Sequence, residues 1–295
     1  MDILEFGKAI CYSGYRAGQS PKTEVPSKEQ IAEDLHILAA DGYRYLRMYD
    51  PNLHARRVLE VIREEKLPMK CLIGVDNEPE VNNPNCPWDK QSYSDEQLKK
   101  FAERNDNEFL KLIELVKEYD DEVIAVSVGN ENTPSWGARI VPEARLIEHA
   151  DQLREALHKP VTFCEGFFEW PNLMELSKHL DFISVHSYPW HYGKTVDVAV
   201  DLNKEHYHEM KARFADKQVL FTEVGWTSNS DESGNNKQAT VANQKRYITE
   251  LNAWLEEEKV VAFLFEAFDE PWKASSPEKS ECNWGLYTLE RTRKW

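Results

Sequence analysis

The sequence predicts an α/β fold, a single-domain (β/α)8 (TIM) barrel over residues 1–295. Three observations predict it. Short apolar runs rich in Val, Ile and Phe recur eight times, stretches with helical spacing alternate with them, and no linker, low-complexity tract or shift in composition divides the chain. Runs that are apolar throughout mark strands covered on both faces, as in a parallel sheet flanked by helices. Eight such units close a barrel of the usual size, about 250 residues. A doubly wound open sheet is the competing arrangement. The lack of a Gly-x-Gly-x-x-Gly turn after the first run argues against it.

Taken in order, strands are expected at 7–12, 43–49, 69–75, 123–128, 161–166, 182–186, 219–223 and 261–265. Ser27-Lys28-Glu29-Gln30 has the form of a capping box and starts the first helix, and Ser94-Asp95-Glu96-Gln97 repeats it ahead of the fourth strand. Leu98, Phe101, Ala102, Phe109, Leu112, Ile113 and Val116 then follow at helical spacing. Ile147, Ala150, Leu153 and Leu157 mark the helix after strand four, and Tyr247, Ile248, Leu251, Trp254 and Leu255 the helix before strand eight. Residues 77–94 and 228–237 read as long loops after strands three and seven. The run Glu256-Glu257-Glu258-Lys259 reads as a solvated helix end.

The net charge of −16 and a pI of about 5.1 repel phosphate backbones and anionic lipid, so neither nucleic acid nor a membrane surface is an expected partner. No apolar run is long enough to span a bilayer, and Met1-Asp2-Ile3-Leu4-Glu5-Phe6 has no signal-peptide character. As it stands the chain is expected to be cytoplasmic, or secreted or periplasmic if a leader was removed. A monomer is expected. Of the five cysteines, Cys11, Cys71 and Cys164 lie in strand-like runs as small hydrophobes, while Cys86 and Cys282 sit in loops where an oxidising compartment would let them pair. An odd count without Cys-x-x-Cys spacing argues against structural zinc.

Catalytic groups of such a barrel come from the ends of its strands. Those ends supply Tyr12, Arg47, Tyr49, Asp50, Asn130, Glu131, Glu165, His186, Tyr188, Trp190, Glu223, Trp226, Glu266, Asp269 and Glu270, with Lys273 close behind. Glutamates at the end of apolar runs are costly to desolvate, and Glu131 and Glu223 occupy matched settings, Gly129-Asn130-Glu131 and Thr222-Glu223-Val224-Gly225-Trp226. A ring of carboxylates and aromatics with few soft metal ligands suits a sugar: rings stack on its C–H faces and carboxylates take its hydroxyls. Cleaving a glycosidic bond needs two carboxyl groups on opposite sides of the anomeric carbon, and strands four and seven would supply them. Glu131 and Glu223 are therefore the expected catalytic pair, with no metal and no organic cofactor required. Arg47 either orients these carboxylates or is a structural ion-pair partner. His186 is a proton-handling group or a satisfied core histidine. Among Trp88, Trp136, Trp190, Trp226 and Trp284, two or three are expected to touch ligand. His206 and His208 lie two apart on a helix and make a poor metal pair.

At this point the chain resembles family 17 of the glycoside hydrolases, a β-1,3-glucanase family. The segments that carry the resemblance are Cys11-Tyr12, Leu46-Arg47-Met48-Tyr49-Asp50-Pro51, Ser127-Val128-Gly129-Asn130-Glu131, Ser187-Tyr188-Pro189, Thr222-Glu223-Val224-Gly225-Trp226, Phe268-Asp269-Glu270 with Lys273, and Trp284-Gly285-Leu286-Tyr287. The opening Gly7-Lys8-Ala9-Ile10-Cys11-Tyr12-Ser13-Gly14-Tyr15 looks more like the bacterial branch than the plant enzymes. The resemblance implies a retaining hydrolase of laminarin-type β-1,3-glucan, with Glu131 as general acid/base and Glu223 as nucleophile. It implies that Asn130 contacts the sugar 2-hydroxyl, that Glu270 and Lys273 surround the nucleophile, with Lys273 keeping it ionised, and that Tyr12, Tyr188 and Trp284 line the cleft. Arg47, Tyr49, Trp136, His186 and Trp226 complete the expected substrate-binding set. The plant pattern Glu-Thr-Gly-Trp-Pro is replaced here by Glu223-Val224-Gly225-Trp226-Thr227, a difference next to the nucleophile. A transglycosylase using the same two glutamates is the alternative, and a carbohydrate-binding barrel without catalysis is a further one.

Overall fold

Eight parallel strands close on themselves in sequence order: β1 (Lys8–Cys11), β2 (Tyr43–Met48), β3 (Lys70–Ile73), β4 (Val123–Asn130), β5 (Val161–Gly166), β6 (Phe182–Ser187), β7 (Gln218–Val224) and β8 (Ala262–Leu264). The structure, a computed structural model, describes residues 3–231, 234–276 and 278–295. Residues 232 and 233, in the loop expected after strand seven, lie outside the described residues. Each expected strand is found, with ends shifted by one or two residues. Among the described residues no helix is long and apolar enough to cross a membrane.

Side chains on successive strand residues point to opposite faces, and this alternation divides the core in two. Ala9, Cys11, Tyr45, Leu72, Ala125, Cys164, Phe182, Leu220 and Phe263 fill the barrel interior. Ile10, Tyr12, Leu46, Met48, Ile73, Val126, Phe163, Ile183, Val185 and Phe221 face the helices. Phe163, Phe182, Phe221 and Phe263 are fully buried, and each contributes on the order of 1.5–3 kcal/mol. A slip of one residue would exchange the layers, so this burial fixes the register.

Among the described residues seven α-helices surround the barrel: α1 (Lys28–Ala40), α2 (Leu53–Glu65), α3 (Asp95–Glu118), α4 (Glu143–Ala156), the short α5 (Met174–Lys178), α6 (Val196–Arg213) and α7 (Val241–Glu258). Both capping boxes form: the Ser27 and Ser94 hydroxyls accept from the N–H of Gln30 and Gln97, whose side chains accept from the serine N–H in return. The alternation predicts an eighth helix, yet among the described residues none follows β8. That stretch holds Pro271 and no helical apolar period. It makes short 3-10 turns at Pro271–Lys273 and Ser280–Cys282, then returns across the barrel mouth. There Glu266 N–H donates to Trp284 O, and Leu286 and Tyr287 N–H donate to Glu266 O and Ala267 O. All five cysteines are free and buried, Cys86 and Cys282 included.

Two strands depart from regular pairing near the mouth. Ser127 and Asn130 of β4 pair with Thr162 and Cys164 of β5, so β4 carries one extra residue there. Likewise Phe221 and Val224 of β7 pair with Ala262 and Leu264 of β8, and Val185 and His186 of β6 with Phe221 and Glu223. An extra residue of this kind re-aims the side chains beyond it. These are the strands that end in Glu131 and Glu223.

Candidate active site

Both glutamates reach one cavity of about 890 Å3 at the strand ends, lined among others by Glu131, His186, Tyr188, Glu223, Phe265 and Trp284. Glycine precedes or follows each glutamate because backbone and side chains approach too closely for anything larger. A Cβ on Gly129 would lie 2.3 Å from Asn132 Oδ1, and one on Gly225 would lie 2.2 Å from the Phe265 carbonyl oxygen. Beyond Gly129 the chain turns sharply, and Glu131 takes φ +49°, in the left-handed region that a residue with a Cβ enters only under constraint. The constraint is visible. Asn132 Oδ1 accepts from Asn130 N–H (2.9 Å), and the Glu131 N–H donates to Cys164 O (2.9 Å).

Glu223 is nearly enclosed. Arg47 Nη1 and the Tyr49 hydroxyl (2.9 Å) donate to its Oε1, and the Tyr188 hydroxyl donates to Oε2 at 2.6 Å. Arg47 itself is buried, with its guanidinium over the Tyr49 ring. It also donates to Thr222 O (3.0 Å) and to Asn130 Oδ1. Burial pushes the Glu223 carboxyl up, but the charges of His186 and Arg47 and the hydroxyls of Tyr188 and Tyr49 outweigh it and hold the group low, at about 2. Glu223 is a carboxylate throughout the ordinary pH range.

His186 bridges the pair. Its Nδ1 lies 2.8 Å from Glu131 Oε1 and 3.6 Å from Glu223 Oε2. Burial pushes the imidazole down. Glu223 and hydrogen bonds with Cys164 and Glu131 more than restore the charge, raising it to about 10. One carboxylate oxygen from each glutamate and a His186 nitrogen all lie within 4.8 Å of one another. Three such atoms resemble a cation cage, but Glu223 already accepts from three donors and the buried Arg47 charge opposes a second cation.

Rings complete the walls. Tyr188, Phe265 and Trp284 meet edge-on with centroids 5.2–5.9 Å apart on the Glu223 side, with His191 beside Trp284. The lining also holds Trp88 and Trp136, with centroids 5.4 Å apart, and Phe168, which packs edge-on to Tyr192. Trp88, Trp136 and Phe168 are exposed large apolar surfaces, and an exposed patch of that kind inside a cleft marks a binding surface. Sequence reasoning missed Phe168, Glu169, His191, Tyr192, Phe265 and Glu281 as lining residues. Phe265 was legible only as the last expected residue of strand eight, and Phe168, His191 and Tyr192 as aromatics in loops after strands five and six.

Four expectations need correction. Trp226 does not reach the cleft: it is wholly buried behind β7, tilted against Tyr247, with its indole N–H donating to Gln238 O. Tyr12 shares the parity of Ile10 and faces the helices, where its hydroxyl donates to Asp34 at 3.1 Å. Lys273 is not paired with Glu223. It bonds Glu266 and lies 2.8 Å from Glu270, and Arg47 with His186 supplies the positive charge at Glu223. Glu270 accepts from Ser13 (2.6 Å) in the same buried cluster, so neither it nor Lys273 orders the hydrogen bonds of Glu223. The cluster sits behind Phe265, with Lys273 Nζ 4.4 Å from that ring.

With this geometry in view, the family model for the BtgE/BtgC glycoside hydrolase domain matches residues 9–285. The chain belongs to that family. A cell surface mannoprotein of Candida albicans is 26% identical over 95% of this chain, and a probable glucan endo-1,3-beta-glucosidase of Aspergillus terreus is 26% identical over 91%. The chain spans 66% of the first relative and 41% of the second. Among solved structures, an endo-laminarinase from Formosa superposes with a TM-score of 0.81 at 25% identity, covering 96% of this chain and 83% of that one. A family 17 beta-1,3-glucanosyltransferase from Rhizomucor miehei shares the fold with a TM-score of 0.77 at 19% identity, covering 98% and 95%.

Proposed function

We propose that this chain hydrolyses β-1,3-glucosidic linkages in laminarin-type glucan by double displacement, with retention of anomeric configuration. The observation that carries the reading is the convergence of Glu131 and Glu223, with carboxylate oxygens within 4.8 Å, in one aromatic-walled cavity. Retaining glycosidases hold their two carboxyl groups at roughly 5–5.5 Å, whereas inverting enzymes leave room for a water between them. Glu223, fixed as an anion, attacks the anomeric carbon. The C1–Oε bond forms as the glycosidic C1–O bond breaks, and Glu131 gives its proton to the departing oxygen. In the second step Glu131 takes a proton from water, the hydroxide oxygen bonds to C1, and the ester breaks to restore the Glu223 carboxylate. Arg47, Tyr49 and Tyr188 hold the nucleophile in line, and Asn130, tethered by Arg47, is placed to take the sugar 2-hydroxyl.

A named fungal relative is described as acting within β-1,3-glucan, and the superposed structure from Formosa is an endo-laminarinase. The curated relatives named above are fungal, and a bacterial origin, suggested by the Gly7-to-Tyr15 opening, is part of the proposal. Transfer to a second sugar is the alternative reading, favoured by the exposed Trp88, Trp136 and Phe168, which offer an acceptor sugar a surface in the cavity. Proton NMR of freshly cleaved laminari-oligosaccharide tests both. Initial product as the β-anomer is expected. An initial α-anomer would refute double displacement, and products longer than the substrate at high concentration would assign the chain to transfer.

A further inference from the structure

Glu165 is the penultimate residue of β5, next to the strand that leads to Glu131, and its carboxyl is wholly buried outside the cavity wall. Oε2 accepts from the Thr133 N–H (3.2 Å) and hydroxyl (2.7 Å), and Oε1 accepts from the Gly166 N–H (2.6 Å). Thr133 lies two residues past Glu131, whose own N–H is held by the carbonyl of Cys164. The left-handed turn at Glu131 is thus pinned to two consecutive residues of β5, by a backbone bond at Cys164 and by a buried acid at Glu165. We propose that Glu165 is a positioning residue for Glu131, fixing the strained turn through Thr133.

The inference rests on the reading of Glu131 as acid/base. The charged groups facing Glu165 are Glu131 from the end of β4 and His186 from β6. Burial pushes the Glu165 carboxyl up and the Glu131 charge adds to this. The Gly166 N–H, Thr133 and His186 act the other way, leaving it at about 8. At neutral pH Glu165 is therefore uncharged, which suits a group buried without a cationic partner at bonding distance.

The test is kcat and KM on a laminari-oligosaccharide for Glu165→Ala and Glu165→Gln. Loss of the Thr133 anchor in Glu165→Ala is expected to lower kcat about tenfold, with KM changed by less than about threefold. Glu165→Gln keeps an acceptor oxygen for Thr133 and is expected to recover most of that loss. If Glu165→Ala does not fold, Thr133→Val, which removes the hydroxyl bond and keeps the acid, decides, with kcat expected to fall severalfold at little-changed KM. Wild-type kcat in the alanine variant, or in Thr133→Val, overturns the inference. A control separates its failure from that of the underlying reading: Glu131→Ala assayed on an activated aryl β-glucoside with azide. If that variant still cleaves glucan, or forms no glycosyl azide, the acid/base reading fails and takes this inference with it. If it is inert on glucan and azide restores turnover, the Glu165 result stands or falls alone.

Discussion

Glu131 and Glu223 point into one cavity but are held in opposite ways. Glu223 is fixed by side chains: its carboxylate has three donors, and 8% of the side chain is exposed. Glu131 is fixed by its backbone, through a left-handed turn tied to β5, and its side chain is 27% exposed with His186 as its partner. The difference matches two chemical demands. A nucleophile must remain charged and in line, which a cage of donors secures. An acid/base must exchange protons with water in each cycle, which a cage would prevent, so the rigidity is moved into the main chain.

The strongest way to break this comparison is to remove the caged charge. Glu223→Gln is expected to lower kcat on laminarin by about a thousandfold or more, read by reducing-sugar release, because the attacking group itself is lost. Retained activity would show that the cage serves only the fold. A sharper test leaves the carboxylate and thins the cage. Tyr188→Phe removes one hydrogen bond to a charged group, worth about 1.5–3 kcal/mol, so kcat/KM should fall about ten- to a hundredfold. The sign of the pH effect is fixed: the Tyr188 hydroxyl lowers the Glu223 value, so its loss raises that value and moves the acid limb of kcat/KM to higher pH. An unmoved limb would refute the assignment. The smallest effect belongs to the open end. Trp136→Ala removes one face of an exposed aromatic pair, and an interaction of about 0.5–1.5 kcal/mol corresponds to a KM raised roughly two- to tenfold for long oligosaccharides. An equal change for a short aryl glucoside would place Trp136 elsewhere in the binding path.

The strands were legible because their apolar runs are continuous, and the two glutamates because acid at the end of such a run has few other uses. What escaped was parity and reach. Tyr12 sits at a strand end like Tyr49, but its position beyond Ile10 turns it toward α1, a distinction readable by counting from the interior residue Cys11. Trp226 follows the nucleophile by three residues, and only the close packing at Gly225 reveals that the chain has already turned away there. Assigning the counter-charge to Lys273 follows linear nearness to β8. The partner, Arg47, comes from β2, three strands round the barrel from β7, on the same interior face as Tyr45. The extra residues in β4 and β7 leave no trace in composition, since they exist only relative to neighbouring strands.

The residues facing the cavity include Glu131, Glu169, Glu223 and Glu281 and, among the described residues, no lysine or arginine. A polysaccharide bearing sulfate esters or uronic acids would have to press each anion against those carboxylates over distances shorter than the roughly 8 Å at which physiological salt screens them.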